Sequence, residues 1–152
     1  MAALKYELLT ALVAMVPILE VRGAVPLGVG WGLSPLQALL WAVAGSMIPV
    51  PLLILAVRRV LLFLRERGLF PRFVGWLEGH VRKKGGKVQR YSLPGLLLLV
   101  AIPLPGTGVW TGSMVASLLN LPLRRALPAI FAGDVIASFL MAMLSYGVTA
   151  IL

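Results

Sequence analysis

Charged residues divide the chain into two long uncharged runs with a basic segment between them. Residues 23–57 form an uncharged run of 35, and residues 91–123 form a second run of 33. A membrane-spanning helix needs about 20 apolar residues, so each run is too long for one straight span and too short for two spans and a turn. Each run is therefore expected to combine one spanning helix with a piece that does not cross.

Glycine and proline locate the irregular piece of each run. They crowd the front of the first run and the middle of the second. Broken backbone at membrane depth is tolerated where protein or a water-filled cavity surrounds it, which predicts a re-entrant hairpin in each run. Residues 2–18 are either a full span or one arm of the first hairpin. The residues predicted to form the two re-entrant loops are Gly23, Pro26, Gly28, Pro103, Pro105, Gly106, Thr107, Gly108 and Trp110.

The two halves of the chain also resemble each other. Residues 34–48 (SPLQALLWAVAGSMI) and residues 122–136 (PLRRALPAIFAGDVI) are identical at five aligned positions. If the basic segment is inside, the first long helix runs inward and the last helix runs outward, so the halves are inverted, as in many transporters.

These patterns predict an all-α integral membrane protein with a single membrane domain, residues 1–152. It has two inverted repeats, each a re-entrant helical hairpin plus a transmembrane helix, joined by a basic cytoplasmic amphipathic linker. The expected parts are a first half, residues 1–57, a linker, residues 58–92, and a second half, residues 93–152.

Composition supports lipid as the solvent for most of the surface. The chain is 60% hydrophobic and 12% charged, whereas a soluble domain has about a quarter of its residues charged. Of the fourteen lysines and arginines, ten lie between Arg58 and Arg90. This clustering is typical of a cytoplasmic loop under the positive-inside rule and argues against a nucleic-acid surface. We expect a multi-pass protein of the cell (inner or plasma) membrane.

The basic segment itself has a helical pattern. Its apolar residues recur at helical spacing, and Pro71 suits the first position of a helix. The pattern favours an amphipathic helix on the inner leaflet, although a solvated connecting loop is the alternative. The side chains expected to contact anionic lipid head groups are Arg82, Lys83, Lys84 and Lys87.

Three ionisable residues interrupt apolar sequence and are the candidates for function. Glu20 and Arg22 precede the first break, and Asp134 lies about ten residues into the last helix, near the expected bilayer middle. Such groups usually face a cavity, a partner or a substrate path. The structural alternatives are a boundary ion pair and a neutral, hydrogen-bonded aspartate. Arg124 and Arg125 end the second run and are further candidates for substrate binding or counter-charge.

The chain has few residues of the types that enzyme catalysis or metal binding requires. The chain has no cysteine and one histidine, and it lacks phosphate-loop, zinc-protease and serine-hydrolase motifs. We expect neither an enzyme, nor a bound cofactor, nor a metal site.

Two motifs carry a resemblance to a known family. EVRGAVPLG (20–28) and PLPGTGVWTG (103–112) resemble the small multidrug export proteins over nearly the whole chain. The chain is similar, more distantly, to the DedA/VTT (SNARE-associated) membrane proteins. That resemblance implies facing re-entrant hairpins and proton-dependent flipping of lipid phosphates. In the DedA pattern the second hairpin carries arginines around its Pro-Gly pair. This chain departs from that pattern, because no arginine follows Pro105 until Arg124, which weakens the case for phosphate recognition by that route.

The leading functional hypothesis is a transporter or flippase for a small or amphipathic solute, either a drug-like compound or a lipid phosphate, coupled to protons. Glu20 and Asp134 would titrate, and Arg22 would supply the counter-charge. A homodimer is expected because few helices enclose little cavity. The alternative is a membrane scaffold or lipid-organising factor that acts through the basic linker.

Overall fold

A computed structural model describes residues 2–83, 85–104 and 106–151, and within these ranges the regular structure is helical, with no strand. The all-α prediction is confirmed. Lys84 and Pro105, predicted as a lipid contact and a loop residue, lie outside the described residues, as do the side chains of Arg82, Lys83 and Lys87. The helices are α1 (Ala2–Met15), α2 (Glu20–Gly30), α3 (Pro35–Met47), α4 (Pro49–Glu66), α5 (Pro71–Lys83), α6 (Gly85–Ala101), α7 (Val109–Leu118) and α8 (Leu123–Ile151).

Two segments are long and apolar enough to cross a membrane, Pro35–Glu66 and Leu123–Val148. The first comprises α3 and α4, which are separated at Ile48 because Pro49 has no N–H to donate to the Gly45 carbonyl. The Ile48 N–H donates to that carbonyl instead, over 3.3 Å. This helical segment continues beyond residue 57, so α4 carries Arg58 and further basic residues of the segment that was expected to be a linker.

The shorter helices pair as hairpins against these segments. α1 and α2 pack on each other and on α3, while α6 packs on α8 and contacts α7. The halves also interlock, because α2 packs on α8 and α4 packs on α7. α1 has 14 residues, about 21 Å of helix, which is less than the roughly 30 Å hydrocarbon thickness. Its contacts with α2 favour the interpretation as one arm of a hairpin.

Small residues allow the closest helix crossings. A Cβ atom added to Gly45 would collide with the backbone of Ala11 in α1, and one added to Gly133 would lie 2.6 Å from the Leu97 carbonyl oxygen in α6. Gly45 and Gly133 occupy the same place in the two similar stretches of sequence. Glycine at both places lets the long helix come close to the backbone of the first hairpin helix in the same half, α3 to α1 and α8 to α6.

The buried apolar side chains form two clusters. One joins α1, α2, α3 and the second half of α8, and the other joins α4, α6, α7 and the first half of α8. Because α8 belongs to both, it connects the two clusters.

α5 begins at Pro71, so the helix predicted in the basic segment is present. Phe73 and Trp76 lie on it, both exposed, with ring centroids 6.5 Å apart. Their contact with the inner leaflet stays a prediction.

Candidate functional site

The turns of the two helical hairpins meet through the side chain of Arg22. This arginine lies in the first turn of α2, and its Nη2 donates to the Ile102 carbonyl oxygen over 2.9 Å. Nη1 donates to the Thr107 carbonyl oxygen, and Nη2 is 2.6 Å from the Thr107 hydroxyl oxygen. The Thr107 hydroxyl lies 2.7 Å from the Ile102 carbonyl oxygen, to which it can donate. Arg22 therefore fixes the connection between α6 and α7 to the start of α2.

The carboxylate of Glu20 also connects the start of α2 to the second hairpin. Its side chain is 3% exposed, and Oε2 accepts from Arg22 Nη1 over 2.7 Å. Oε1 accepts from the Trp110 backbone N–H, 3.2 Å away, in the first turn of α7. An anion at a helix N-terminus interacts favourably with the free N–H groups there. Glu20 thus fills an anion position at the start of α7.

The backbone of Glu20 is itself unusual. Its φ of 45° lies in the left-handed region, which costs a non-glycine residue of order 1–2 kcal/mol. Such conformations cluster at functional sites, where the surrounding contacts hold them. The two carboxylate contacts of Glu20 supply such a restraint.

Gly108 leaves the space in which Glu20 and Arg22 pair. It has a φ of +129°, and a Cβ atom added there would overlap both the Glu20 carboxylate and the Arg22 guanidinium. Glycine at this position is required by space as well as by backbone conformation.

Replacing Gly108 with alanine is expected to break the ion pair, because the new methyl group and the Glu20 carboxylate cannot share one volume. The free energy of unfolding in detergent should fall by about 2–4 kcal/mol, because the buried pair is disrupted. A lower melting temperature would report this loss. Gly106→Ala is the matched control, since Gly106 also has a positive φ, +84°, but nothing within 4 Å of an added Cβ. Equal losses in the two variants would show that backbone strain alone explains the effect.

Asp134 lies in the middle of α8 and faces α3. It is 1% exposed, and Oδ2 contacts the hydroxyl of Ser46, which is itself fully buried. The Ser46 hydroxyl oxygen is also 3.0 Å from the Val43 carbonyl oxygen. Helix α2, which carries Glu20 and Arg22, packs on α8, and Val21 of α2 belongs to the same buried cluster as Ala137 of α8. The three ionisable residues singled out in the sequence therefore lie on two helices that pack on each other.

Two buried serines near Asp134 were not singled out in the sequence. Ser46 contacts Asp134 directly, and Ser138 lies one helical turn further along α8. The Ser138 hydroxyl is fully buried and has no hydrogen-bond partner among the described residues. A serine in an apolar helix gives no signal by itself. The alignment of residues 34–48 with 122–136 does, because it puts Ser46 opposite Asp134.

The predicted loop residues are divided between helix and turn. Pro103, Gly106, Thr107 and Gly108 lie in the connection between α6 and α7. The other four described residues lie in helices: Gly23, Pro26 and Gly28 in α2, and Trp110 in α7. The helix in place of a loop is explained by the apolar environment. Backbone groups away from water need helical hydrogen bonds, and the proline in α2 removes only one of these bonds.

Arg124 and Arg125 do not join this site. They lie in the first turn of α8 and line a pocket of about 500 Å³, together with Leu93, Leu121 and Pro122 among the described residues. Ten residues of helix, about 15 Å, separate Arg124 from Asp134.

One family model matches the chain. It carries the description "Putative small multi-drug export protein" and covers residues 20–140, which is 121 of the 152 residues. The matched segment begins at Glu20 and includes Arg22 and Asp134. No curated protein and no solved structure shows significant similarity to the chain.

Proposed function

Because the chain belongs to the small multi-drug export family, we propose that it is a multi-pass membrane transporter or flippase for a small or amphipathic solute, coupled to protons. The solute is a drug-like compound or a lipid phosphate, and the membrane is the cell membrane. Glu20 and Asp134 carry the protons, and Arg22 supplies the counter-charge. The distant likeness to the DedA/VTT proteins and the homodimer stay predictions.

The proposed topology has two spans of opposite direction. Arg58 Nη2 in α4 donates to the Leu121 carbonyl oxygen over 2.6 Å, just before α8 begins. The end at which the first span reaches the basic segment is therefore also the end at which α8 starts. The positive-inside rule then orients this end toward the cytoplasm.

The positions of the hairpin turns support the proposal of re-entrant hairpins. Asp134 is within two residues of the midpoint of the apolar segment Leu123–Val148, so it is at mid-depth if α8 spans the bilayer. Val21, between Glu20 and Arg22, lies in one buried cluster with Ala137 of α8, and Arg22 binds the connection between α6 and α7. Both turns would therefore lie inside the membrane, where irregular backbone is tolerated because protein surrounds it.

An inverted repeat is supported by contacts between equivalent positions. Ser46 and Asp134 are each 11 residues from the start of their apolar segments, Pro35–Glu66 and Leu123–Val148, and they contact each other. Equivalent residues of two symmetric halves can contact each other where they lie on the symmetry axis. We infer that a pseudo-twofold axis in the membrane plane passes between Ser46 and Asp134, as in inverted-repeat transporters.

The Ser46 hydroxyl allows Asp134 to hold or release a proton without an unpaired buried group. When Asp134 is ionised, the hydroxyl donates to Oδ2. When Asp134 is protonated, its O–H donates to Ser46 Oγ, and the Ser46 hydroxyl turns toward the Val43 carbonyl oxygen, 3.0 Å away. Both states avoid the cost of about 1–3 kcal/mol that an unsatisfied buried polar group carries.

Glu20 connects the second proton to the hairpin contact. Its carboxylate pairs with Arg22 and accepts the Trp110 N–H. A proton on Glu20 would remove the charge from both contacts and weaken the connection between the hairpins. This change would let the site open toward the opposite side of the membrane, which an alternating-access cycle requires.

The observation that carries the proposal is the burial of two carboxyl groups, Glu20 paired with Arg22 and Asp134 in contact with Ser46, on helices α2 and α8 that pack on each other. The test reconstitutes the protein in liposomes with a pH gradient and measures two solutes. Ethidium reports a lipophilic cation, and fluorescently labelled phosphatidylglycerol reports a lipid phosphate. Wild-type protein should move one of them faster when the gradient is imposed.

Asp134→Asn should reduce that flux to the rate of protein-free liposomes, because the amide keeps a polar contact to Ser46 but cannot carry the proton. Glu7→Gln, the same chemical change in α1 outside the site, is the matched control and should leave flux unchanged. Full gradient-dependent flux in a folded Asp134→Asn protein would remove Asp134 from the mechanism.

The second candidate function, a scaffold acting through the basic segment, is favoured by one observation. α5 exposes Phe73 and Trp76 on a basic helix, which suits attachment to anionic lipid head groups. Arg82, Lys83, Lys84 and Lys87 would strengthen that attachment. The flux assay separates the two functions, since a scaffold moves neither solute.

A further inference from the structure

A pocket of about 500 Å³ at the start of α8 is distinct from the site around Asp134. Its described lining residues are Leu93 of α6, Leu121 and Pro122 before α8, and Arg124 and Arg125 in the first turn of α8. None of these five described residues carries a carboxylate. Both arginines are exposed and have no ion-pair partner among the described residues. The pocket therefore contains positive charge that these residues leave uncompensated.

The position of the two arginines in the helix increases this excess. The first turn of a helix presents free N–H groups and the positive end of the helix dipole, so cations there are unfavourable. Arg124 and Arg125 are the second and third residues of α8. Two adjacent guanidinium groups in this position are stabilised when an anion binds between them and the helix end.

The equivalent helix in the other half, α3, satisfies backbone N–H groups at its N-terminus with its own side chains. At the start of α3, the Ser34 hydroxyl accepts the Gln37 N–H, and the Gln37 side chain accepts the Ser34 N–H. Pro122 aligns with Ser34 and has no side-chain oxygen, while Arg125 aligns with Gln37 and can only donate hydrogen bonds. The start of α8 thus has donors where α3 has acceptors.

A third arginine lies beside the pocket. Arg58 Nη2 donates to the carbonyl oxygen of Leu121, a lining residue, over 2.6 Å. The Arg58 Nε atom is buried and has no hydrogen-bond partner among the described residues. Its guanidinium group is held at this end of α8 and adds to the positive field of the pocket.

We propose that the pocket formed by Leu93, Leu121, Pro122, Arg124 and Arg125 binds a phosphate group. The chemistry is that of a phosphate monoester or diester, for which guanidinium forks and helix N–H groups are suited donors. The source is either the head group of an anionic lipid or a soluble phosphate. This binding site goes beyond the transport proposal, because it lies about 15 Å from Asp134 along α8 and its occupancy requires no flux.

The test measures thermal unfolding of the full chain in detergent with added ligand, since a ligand that binds the folded state raises the melting temperature. The probes are inorganic phosphate, dioctanoyl phosphatidylglycerol and, as a zwitterionic comparison, dioctanoyl phosphatidylcholine. We expect saturable stabilisation by phosphatidylglycerol above that by phosphatidylcholine. Stabilisation by inorganic phosphate as well would assign the ligand to soluble phosphates, and its absence would assign it to the lipid.

Variants locate the binding. Arg124→Gln/Arg125→Gln should weaken the apparent affinity for the stabilising phosphate by about tenfold or more, since two charge-assisted contacts are lost. Arg59→Gln/Arg72→Gln removes the same charge from exposed positions outside the pocket and should weaken it much less. If the glutamine variant does not fold, Arg124→Lys/Arg125→Lys keeps the charge but loses the forks and should still bind more weakly.

Equal affinity in the pocket variant and the control variant would overturn the proposal, as would equal stabilisation by the two lipids with none by phosphate. The measurement needs no transport. Binding without flux would leave this inference standing while the transporter proposal fails, and flux without binding would do the reverse.

Discussion

Arg22→Met should produce the largest loss of stability of any single substitution in the site, about 3–5 kcal/mol. The substitution leaves Glu20 as a buried, unpaired carboxylate at 3% exposure. It also removes the donors that bind the carbonyl oxygens of Ile102 and Thr107. The two hairpins would lose their main polar connection. The measurement is urea or thermal unfolding in detergent, compared with Arg59→Met, which removes an exposed arginine of α4.

A double variant separates the stability of this pair from its function. In Glu20→Gln/Arg22→Met the buried charge is gone, and the glutamine oxygen still accepts the Trp110 N–H. Replacing both members of a buried ion pair costs far less than removing one, so at least half of the lost stability should return. Proton-linked flux should stay at background, because Asp134 alone remains of the two proposed proton carriers and the counter-charge of Arg22 is gone.

Two results would contradict this account of Arg22. A loss below about 1 kcal/mol in Arg22→Met, the range of an exposed ion pair, would mean that the pair is solvated. Wild-type flux in the double variant would mean that Glu20 and Arg22 connect the hairpins without taking part in transport.

The positions of the charges could be predicted from sequence, whereas their partners could not. Glu20, Arg22 and Asp134 stand out because ionisable groups are costly in apolar sequence. Two of the partners of Arg22 are the backbone carbonyl oxygens of Ile102 and Thr107, which are 80 and 85 residues away along the chain. Every residue has a carbonyl group, so residue type carries no information about which one is bound.

Some helices could be predicted from local sequence signals, whereas α2 could not. The helix from Pro71 followed from local signals, a proline at the first position and an apolar stripe. α2 did not, because Gly23, Pro26 and Gly28 destabilise helices in water, yet in the structure they lie in a helix packed against α1, α3 and α8. Glycine in that setting allows close packing: a Cβ atom on Gly28 would meet Thr10 and Ala38 at about 3 Å. Propensity measured in water thus failed where packing determines the backbone.

Exchanging Ser46 and Asp134 should restore the transport that each single change removes. In Ser46→Asp/Asp134→Ser the carboxyl group moves from α8 to α3, while the contact between the two side chains is kept. Asp134→Ser alone should have background flux, since the proton carrier is gone. Ser46→Asp alone should also transport poorly, because two buried carboxyl groups in contact cannot both ionise. Flux is measured in the liposome assay with the same pH gradient.

The expected recovery in the double variant is at least half of the wild-type flux. Its physical reason is that the two side chains are in contact and that Gly45 and Gly133, just before them, give both helices similar room. A folded double variant that stays at background flux would mean that Asp134 functions through something specific to α8, such as the unpaired Ser138 hydroxyl. The inferred axis between the two halves would then describe their packing but not their mechanism.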